Sequence, residues 1–315
     1  MRRNIFPALL NLPRTLGTLS LVAMLAACGG GSDVPAPSNN VSADGAKNAS
    51  ANTAAIPNDS ATALSAVIST AEAVVAAGSA TAIISCPGGG TASYMVTGPD
   101  AALLLNHQLD QGENYSLVFN NCRSANGASA VNGAFTLNVT AKTADSITVD
   151  TATNNVVVSL PRGDIVLNGS STISRTIQTA GNVTTITTHW VTPNFSVVSH
   201  RNGRTTSFSY TNVDITRTVV LTNGQFTSAS YSGTSTLSWM WPGGSFSVTF
   251  ATQGTVGCME DGTPTQGTMT ITLPNDRITI TVVPGTVTVT VDFGKDGTID
   301  RTYIFTVTEL MNGAG

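Results

Sequence analysis

Two periods of hydrophobicity divide the chain. From about residue 80 to the C-terminus, apolar and polar side chains alternate with a period of two. Phe135, Leu137 and Val139 interleave with Thr136, Asn138 and Thr140, and Phe246, Val248 and Phe250 follow Leu237, Trp239 and Trp241 in the same rhythm. Ile278, Ile280, Val282 and then Val287, Val289, Val291 alternate with threonines. A pleated strand sends successive side chains to opposite faces, so this pattern predicts half-buried strands whose wet face is carried by threonine, which is both β-branched and polar. Before them, Leu64, Val67, Ile68, Ala71, Val74 and Val75 recur at helical spacing, with Asp59 or Ser60 as a cap and Gly78 as a stop. This predicts one amphipathic helix over 59–79 that covers the face or edge of the following sheet.

The turns fix part of the register. Asn202-Gly203 and Asn223-Gly224 each lie between strand-like runs and suit a two-residue hairpin connection. The first pairs Arg201 with Arg204, Val197 with Phe208 and Phe195 with Tyr210; the second pairs Leu221 with Phe226. Short strands joined by tight turns, with no room for crossover helices, make an antiparallel meander. The fold class is therefore all-β, a large antiparallel meander over 80–312 (a sandwich or an open, rolled sheet) preceded by one helix. A faint echo runs through it. Tyr115–Phe119, Cys122 and Gly133 are followed by Ala-Phe-Thr-Leu, much as Phe246–Phe250, Cys258 and Gly267 are followed by Thr-Met-Thr-Ile. Duplication and repeated β-composition both account for it.

The N-terminal 58 residues follow neither period. Arg2 and Arg3 precede a mostly apolar stretch, Leu16–Ala27, that is too short for a permanent membrane span and reads as a secretory signal. It ends in Leu25-Ala26-Ala27-Cys28 followed by Gly29 to Gly31, which resembles the lipobox of bacterial lipoprotein precursors. The resemblance covers residues 1–31. It implies cleavage before Cys28, a diacylglyceryl thioether on the Cys28 sulfur and acylation of the new terminus. Several acyl chains hold a protein stably, at about 0.8 kcal/mol per buried methylene. Gly29 after the cysteine resembles the pattern that sorts enterobacterial lipoproteins to the outer membrane, with the periplasmic or cell-surface face left open. Residues 28–58, rich in Gly, Ser, Asn, Ala and Pro, read as the anchor and a flexible tether spanning roughly 30 Å as a coil.

Composition narrows the chemistry. The 315 residues include only 14 Lys plus Arg against 18 Asp plus Glu, for a net charge of −4. Loss of Arg2, Arg3 and Arg14 with the leader takes this to −7. No basic stripe is available for phosphates, which excludes nucleic acid as a partner class. Outside the cytoplasm cysteines tend to pair. With Cys28 assigned to lipid, Cys86 and Cys122 form the expected disulfide, worth about 3–4 kcal/mol for a loop of this length, and Cys258 is left free in an acidic context.

Catalytic motifs are missing. There is no G-x-S-x-G elbow and no H-E-x-x-H, and His107, His189 and His200 lack metal-ligand spacing. No cofactor is called for, and the chain is read as a non-enzyme. One stretch resembles the start of a calcium loop, with Asp292, Asp296 and Asp300 at positions one, five and nine and Gly297 at six. Gly294 and Tyr303 break the pattern at three and twelve, so a hairpin turn is the preferred reading. Trp239, Trp241 and Pro242 are read as core before sugar-stacking. Together these features predict a lipid-anchored envelope protein whose role is binding or structural, with a protein or glycan partner. A carrier of an apolar ligand, a membrane barrel and an unrecognised enzyme are the alternatives. The Thr- and Val-rich run 276–292, taken as an edge, would invite self-association.

Overall fold

The computed structural model describes residues 41–77, 83–100, 104, 106–123, 129–201, 203–241 and 244–313. Helix α1 (Ala43–Ala77) is followed by β1 (Ile84–Ser85), β2 (Thr91–Thr97), β3 (Asn114–Cys122), β4 (Ala130–Lys142), β5 (Ser146–Leu160), β6 (Gly163–Ala180) and β7 (Val183–Arg201). The chain continues through β8 (Arg204–Thr222), β9 (Gln225–Trp241), β10 (Gly244–Cys258), β11 (Pro264–Thr272), β12 (Asp276–Val283), β13 (Thr286–Phe293) and β14 (Arg301–Thr306) to the short helix α2 (Val307–Met311). The strands form one 14-stranded antiparallel sheet in strict chain order, open between β1 and β14. The predicted meander is this rolled, open sheet, and the Asn-Gly hairpins have the predicted register: Arg201 faces Arg204, Val197 faces Phe208, Phe195 faces Tyr210 and Leu221 faces Phe226.

The sheet curls around α1, which touches strands from β1 and β2 at one edge through β13 near the other. Strands are longest in the middle, 18 and 19 residues for β6, β7 and β8, and shrink to two and six at the edges. Inward positions of nearly every strand join α1 in one apolar core, which takes in Leu64, Val67, Ile68 and Val74 of the helix and Trp190, Tyr210, Phe208 and Phe250 of the sheet. Trp190 stands edge-on to both Phe195 and Tyr210 at centroid distances of 5.4 and 5.3 Å.

The helix corrects the expectation of a tether to residue 58. It starts sixteen residues before Asp59: Ser42 Oγ accepts the Gly45 N–H at 3.1 Å as the cap, and Asp59 and Ser60 lie inside the helix. The physical reason is enclosure. Residues 43–58 carry small side chains that let a surrounding sheet approach closely, alanine favours the helix, and a helix buried on all sides needs no apolar stripe. Ala46, Ala49, Ala51, Ala54, Ala55 and Ile56 are all fully buried. By length and composition α1 passes for a membrane span, but it is packed into the sheet. Pro57 sits within it and removes one intrahelical hydrogen bond. The run 276–292 is likewise corrected: β12 and β13 are interior strands, and the edge is β14.

Long strands can wrap a helix only if they bend, and a crease of β-bulges crosses the sheet. Asn121, Asn155, Asn212 and Gly254 take positive φ at register shifts in β3, β5, β8 and β10, each beside a glycine of the next strand: Gly133, Gly169, Gly233 and Gly267. The extra N–H groups of Asn121 and Asn155 are taken up by the side-chain oxygens of Asn132 and Asn168, at 2.6 and 2.7 Å. On β7 the crease falls at Pro193, between the pairs Thr192–Val213 and Asn194–Thr211, where a missing N–H is tolerated. Both halves of the sequence echo thus coincide with crease positions.

Gly233 shows how closely the crease is fitted. A Cβ there would stand 2.1 Å from the Asp214 carbonyl oxygen, whereas one at Gly254 would meet nothing within 4 Å. Gly233→Ala is therefore expected to cost about 3 kcal/mol and Gly254→Ala about 1 kcal/mol. Urea-unfolding midpoints of the full chain test this, and equal losses at the two positions would contradict a crease held by close backbone contact.

Candidate functional site

The densest group of ionisable side chains lies inside the roll, at the middle of α1. Asp59 accepts from Arg162 in the β5–β6 turn at 3.1 Å and is paired with Arg201 at the end of β7. Its neighbour Asn58 accepts from Arg217 Nε of β8 at 3.3 Å. Arg162 also donates to Thr263, whose N–H and hydroxyl bond Asp261 at 2.8 and 2.9 Å. Asp59, Arg201 and Arg217 are buried. Burial lowers the Arg201 pKa to about 10, opposed by the nearby Asp261, and burial also lowers those of Arg162 and Arg217. Burial pushes the Cys258 thiol up to about 12, although Arg217 and Arg162 pull it down. A thiol held this far from ionisation is no nucleophile.

A second arginine, Arg175 of β6, pairs with Glu72 and donates to Ser69 at 2.9 Å, tying down the last turns of α1. The three strand arginines lie in phase with the apolar face of their strands: Arg217 follows Val213 and Ile215, Arg175 follows Ile173, and Arg201 follows Val197. That parity was the available signal, and the sequence reading missed it. The group fixes where along α1 each strand docks, because a slip of one residue would strand buried charges.

The sequence candidates fall as follows. Cys86 and Cys122 form the expected disulfide, and Cys258 is free and buried. Asp292, Asp296 and Asp300 serve their own loop: Asp292 accepts the Gly297 N–H, Asp296 the Thr298 N–H and Asp300 the Phe293 N–H. Among the described residues no group of three or more His, Cys, Asp or Glu is placed to hold a metal ion. Trp239 is core, stacked on Phe246 and donating to Asn48 at 2.9 Å. Cys28, Pro242 and the side chain of Trp241 lie outside what is described.

Two arrangements missed in the sequence come from strand pairing. On the outer face His189 Nε2 lies 2.8 Å from Asp214 Oδ1, and Ser174 stands opposite His189 on β6. The row has the residue types of a nucleophile, base and orienting acid. Yet Ser174 Oγ contacts Thr148 Oγ1 at 3.0 Å instead, the pair is open to solvent, and the surrounding backbone is committed to the sheet ladder, so neither a cleft nor free N–H donors stand over the serine. Just before β3, buried Glu113 accepts from the Asp110 N–H and Tyr115 Oη at 2.7 and 2.5 Å, and burial, with this bond second, raises the tyrosine pKa.

The clefts are superficial. One of about 730 Å³ lies at the start of α1 among Asp44, Lys47, Arg204, Met240 and Glu309, and one of about 290 Å³ near its end among Glu72, Lys142, Asp145 and Arg175. Each mixes charges of both signs. Compared with protein-family models, with curated proteins and with solved structures, the chain matches none.

Removing the shared carboxylate leaves buried Arg201 and half-buried Arg162 with only the nearby Asp261 as counter-charge, so Asp59→Ala is expected to cost about 3 kcal/mol, while the triple change Asp59→Leu, Arg162→Met, Arg201→Met recovers most of it. Urea midpoints decide; a mild single-variant effect would remove the group from the framework. The alkaline limb gives a second test. Cys258 binds its proton more tightly folded than unfolded, as do Tyr210 and Tyr231, whose pKa values burial also raises. The contribution of these three groups is full below pH 9.0 and is lost as pH rises toward about 12, with Arg201, lowered to about 10, acting in the opposite sense. In a Cys28→Ser chain at pH 8, a maleimide is expected to label nothing until denaturant is added.

Proposed function

We propose that the chain is a lipid-anchored protein of the bacterial outer membrane that acts through its outer surface, in a binding or structural role and without catalysis. The observation that supports this most is the filled interior. A carrier of an apolar ligand needs a roomy apolar concavity, and α1 with its Ala, Leu, Val and Ile side chains occupies the concave side of the sheet. The outer face, by contrast, is a broad field of threonine and serine hydroxyls in register, such as Ser196–Ser209–Ser238–Ser247 across four strands. Such a surface suits water and polar partners better than lipid tails, which speaks for a soluble domain beside the membrane over a barrel within it.

The anchor is the lipobox-like Cys28. The early start of α1 changes its geometry: twelve residues lie between Cys28 and Val41, a span of at most about 45 Å. The Val41 N–H is held by Asp276 at 2.9 Å, which fixes where the chain leaves the sheet.

The test is expression of the full chain and its Cys28→Ser variant in a bacterial host with labelled palmitate. The expected result is label and membrane association for the first, and neither for the second. An unlabelled protein, or a Cys28→Ser chain that stays with the membrane, would refute the anchor. Protease treatment of intact cells then assigns the face.

A further inference from the structure

The open sheet has two edges, and they are unlike. At one, β1 is two residues long, covers only Thr91 and Ala92 of β2, and leads directly into Cys86, whose disulfide to Cys122 pins this corner to β3. At the other, β14 runs six residues in unbroken register on β13, from Thr286–Thr306 to Val291–Arg301, and among the described residues no strand lies beyond it. Apart from its short length and the charge at Arg301, it lacks the devices that blunt natural edges: no proline, no lysine and no bulge interrupts Arg301-Thr-Tyr-Ile-Phe-Thr306. Ile304 on its outer face is 71% exposed and Ile299, just before it, 60%.

We propose that β14 is a self-association edge, pairing antiparallel with β14 of a second copy about a two-fold axis through Ile304. The register follows from parity. Outward residues must meet outward residues across an antiparallel pair, so the axis passes through a residue and not between two. An axis at Ile304 sets Ile304 against its own copy on the outer face, Thr302 against Thr306, and Tyr303 against Phe305 on the inner face, where both rings already lie beside Val289 and Val287. Aromatic and β-branched cross-strand pairs of this kind are the favourable ones. Charge agrees with it: Arg301 of each copy arrives at the first turn of α2 of the other, where Glu309 sits as the acid of a capping box with Thr306. An axis at Tyr303 would instead set Arg301 against Phe305 and Ile304 against Thr302. The occupant is therefore a second copy of this chain, and the contact is isologous and closes on itself.

Six residues of strand form a small interface, and confinement of both copies to one membrane raises their effective concentration. The strength of pairing in the cell thus rests on the lipid anchor, whereas its geometry does not.

The experiment uses the full chain carrying Ile304→Cys, treated with a short bis-maleimide in isolated membranes. A cysteine on the two-fold axis meets its own copy, so a covalent dimer is expected in about tenfold excess over Thr288→Cys, an outward position on β13 whose copy would be three strand spacings, about 14 Å, away. Protection from protease and an intact Cys86–Cys122 bond verify that each variant folds. Absence of the Ile304→Cys dimer in folded protein overturns the proposal, as does preferential crosslinking of Ile304→Cys to Met95→Cys on β2, which would mean head-to-tail association. Adding Cys28→Ser is expected to lower the dimer yield in cells and to restore it on concentrating the purified protein. Failure of that variant to leave the membrane would count against the anchor alone.

Discussion

A helix enclosed by its own sheet is the constraint on which the rest of this structure depends. Over residues 49–61 α1 has no solvent face on which to leave its polar groups, and this stretch carries Asn58, Asp59 and Ser60. Each must be answered from the sheet: Arg217 reaches Asn58, Arg162 and Arg201 reach Asp59, and the Tyr210 hydroxyl lies 3.2 Å from Ser60. These partners come from β5–β6, β7 and β8, so the polar set works as a docking key between the helix and the longest strands. Burial alone would tolerate sliding of an alanine-rich helix along an apolar wall. Paired charges do not, because a misplaced buried ion costs several kcal/mol.

Enclosure also dictates the shape of the strands. A sheet that reaches around a helix must bend strands of up to 19 residues, and ordinary twist does not supply a sharp bend. The crease through Asn121, Asn155, Pro193, Asn212 and Gly254 supplies it, with side-chain amides taking the N–H groups that the bulges free at Asn121 and Asn155. The hydroxyl-rich outer face is the counterpart of this arrangement. With the core spent on α1, the sheet needs only one apolar side, and the alternation of Thr with Val or Ile is its chemical record.

That alternation made much of the fold legible. Local codes were decisive wherever backbone chemistry is local: Asn223-Gly224 takes positive φ at both residues, as a tight hairpin requires, and the register on either side follows. The disulfide was legible from compartment and spacing. Residues 43–58 were not, because periodicity detects a helix by its apolar stripe, and a helix buried on all sides with Ala, Ser and Asn has none. Its composition is that of a linker, and only the long-range partners distinguish the two. Arg175, Arg201 and Arg217 were legible in principle from strand parity, yet a lone arginine in an alternating strand invites assignment to the wet face, and its partner, Glu72, Asp59 or Asn58, lies more than 100 residues away. The crease glycines interrupt alternating strands, and Gly133 and Gly267 showed in the sequence echo, but the bulge that each one faces lies on a neighbouring strand.

Because Asp276 holds the Val41 N–H where β12 begins, the start of α1 is tied to the β12–β14 side of the sheet. Ion pairs from Asp59 to Arg162 and Arg201 and from Glu72 to Arg175 clamp the helix farther along, so both its rotation and its translation within the sheet are set by strands distant in sequence. The small side chains of residues 43–58 therefore do more than lengthen a helix: they let the sheet close on it between these fixed points.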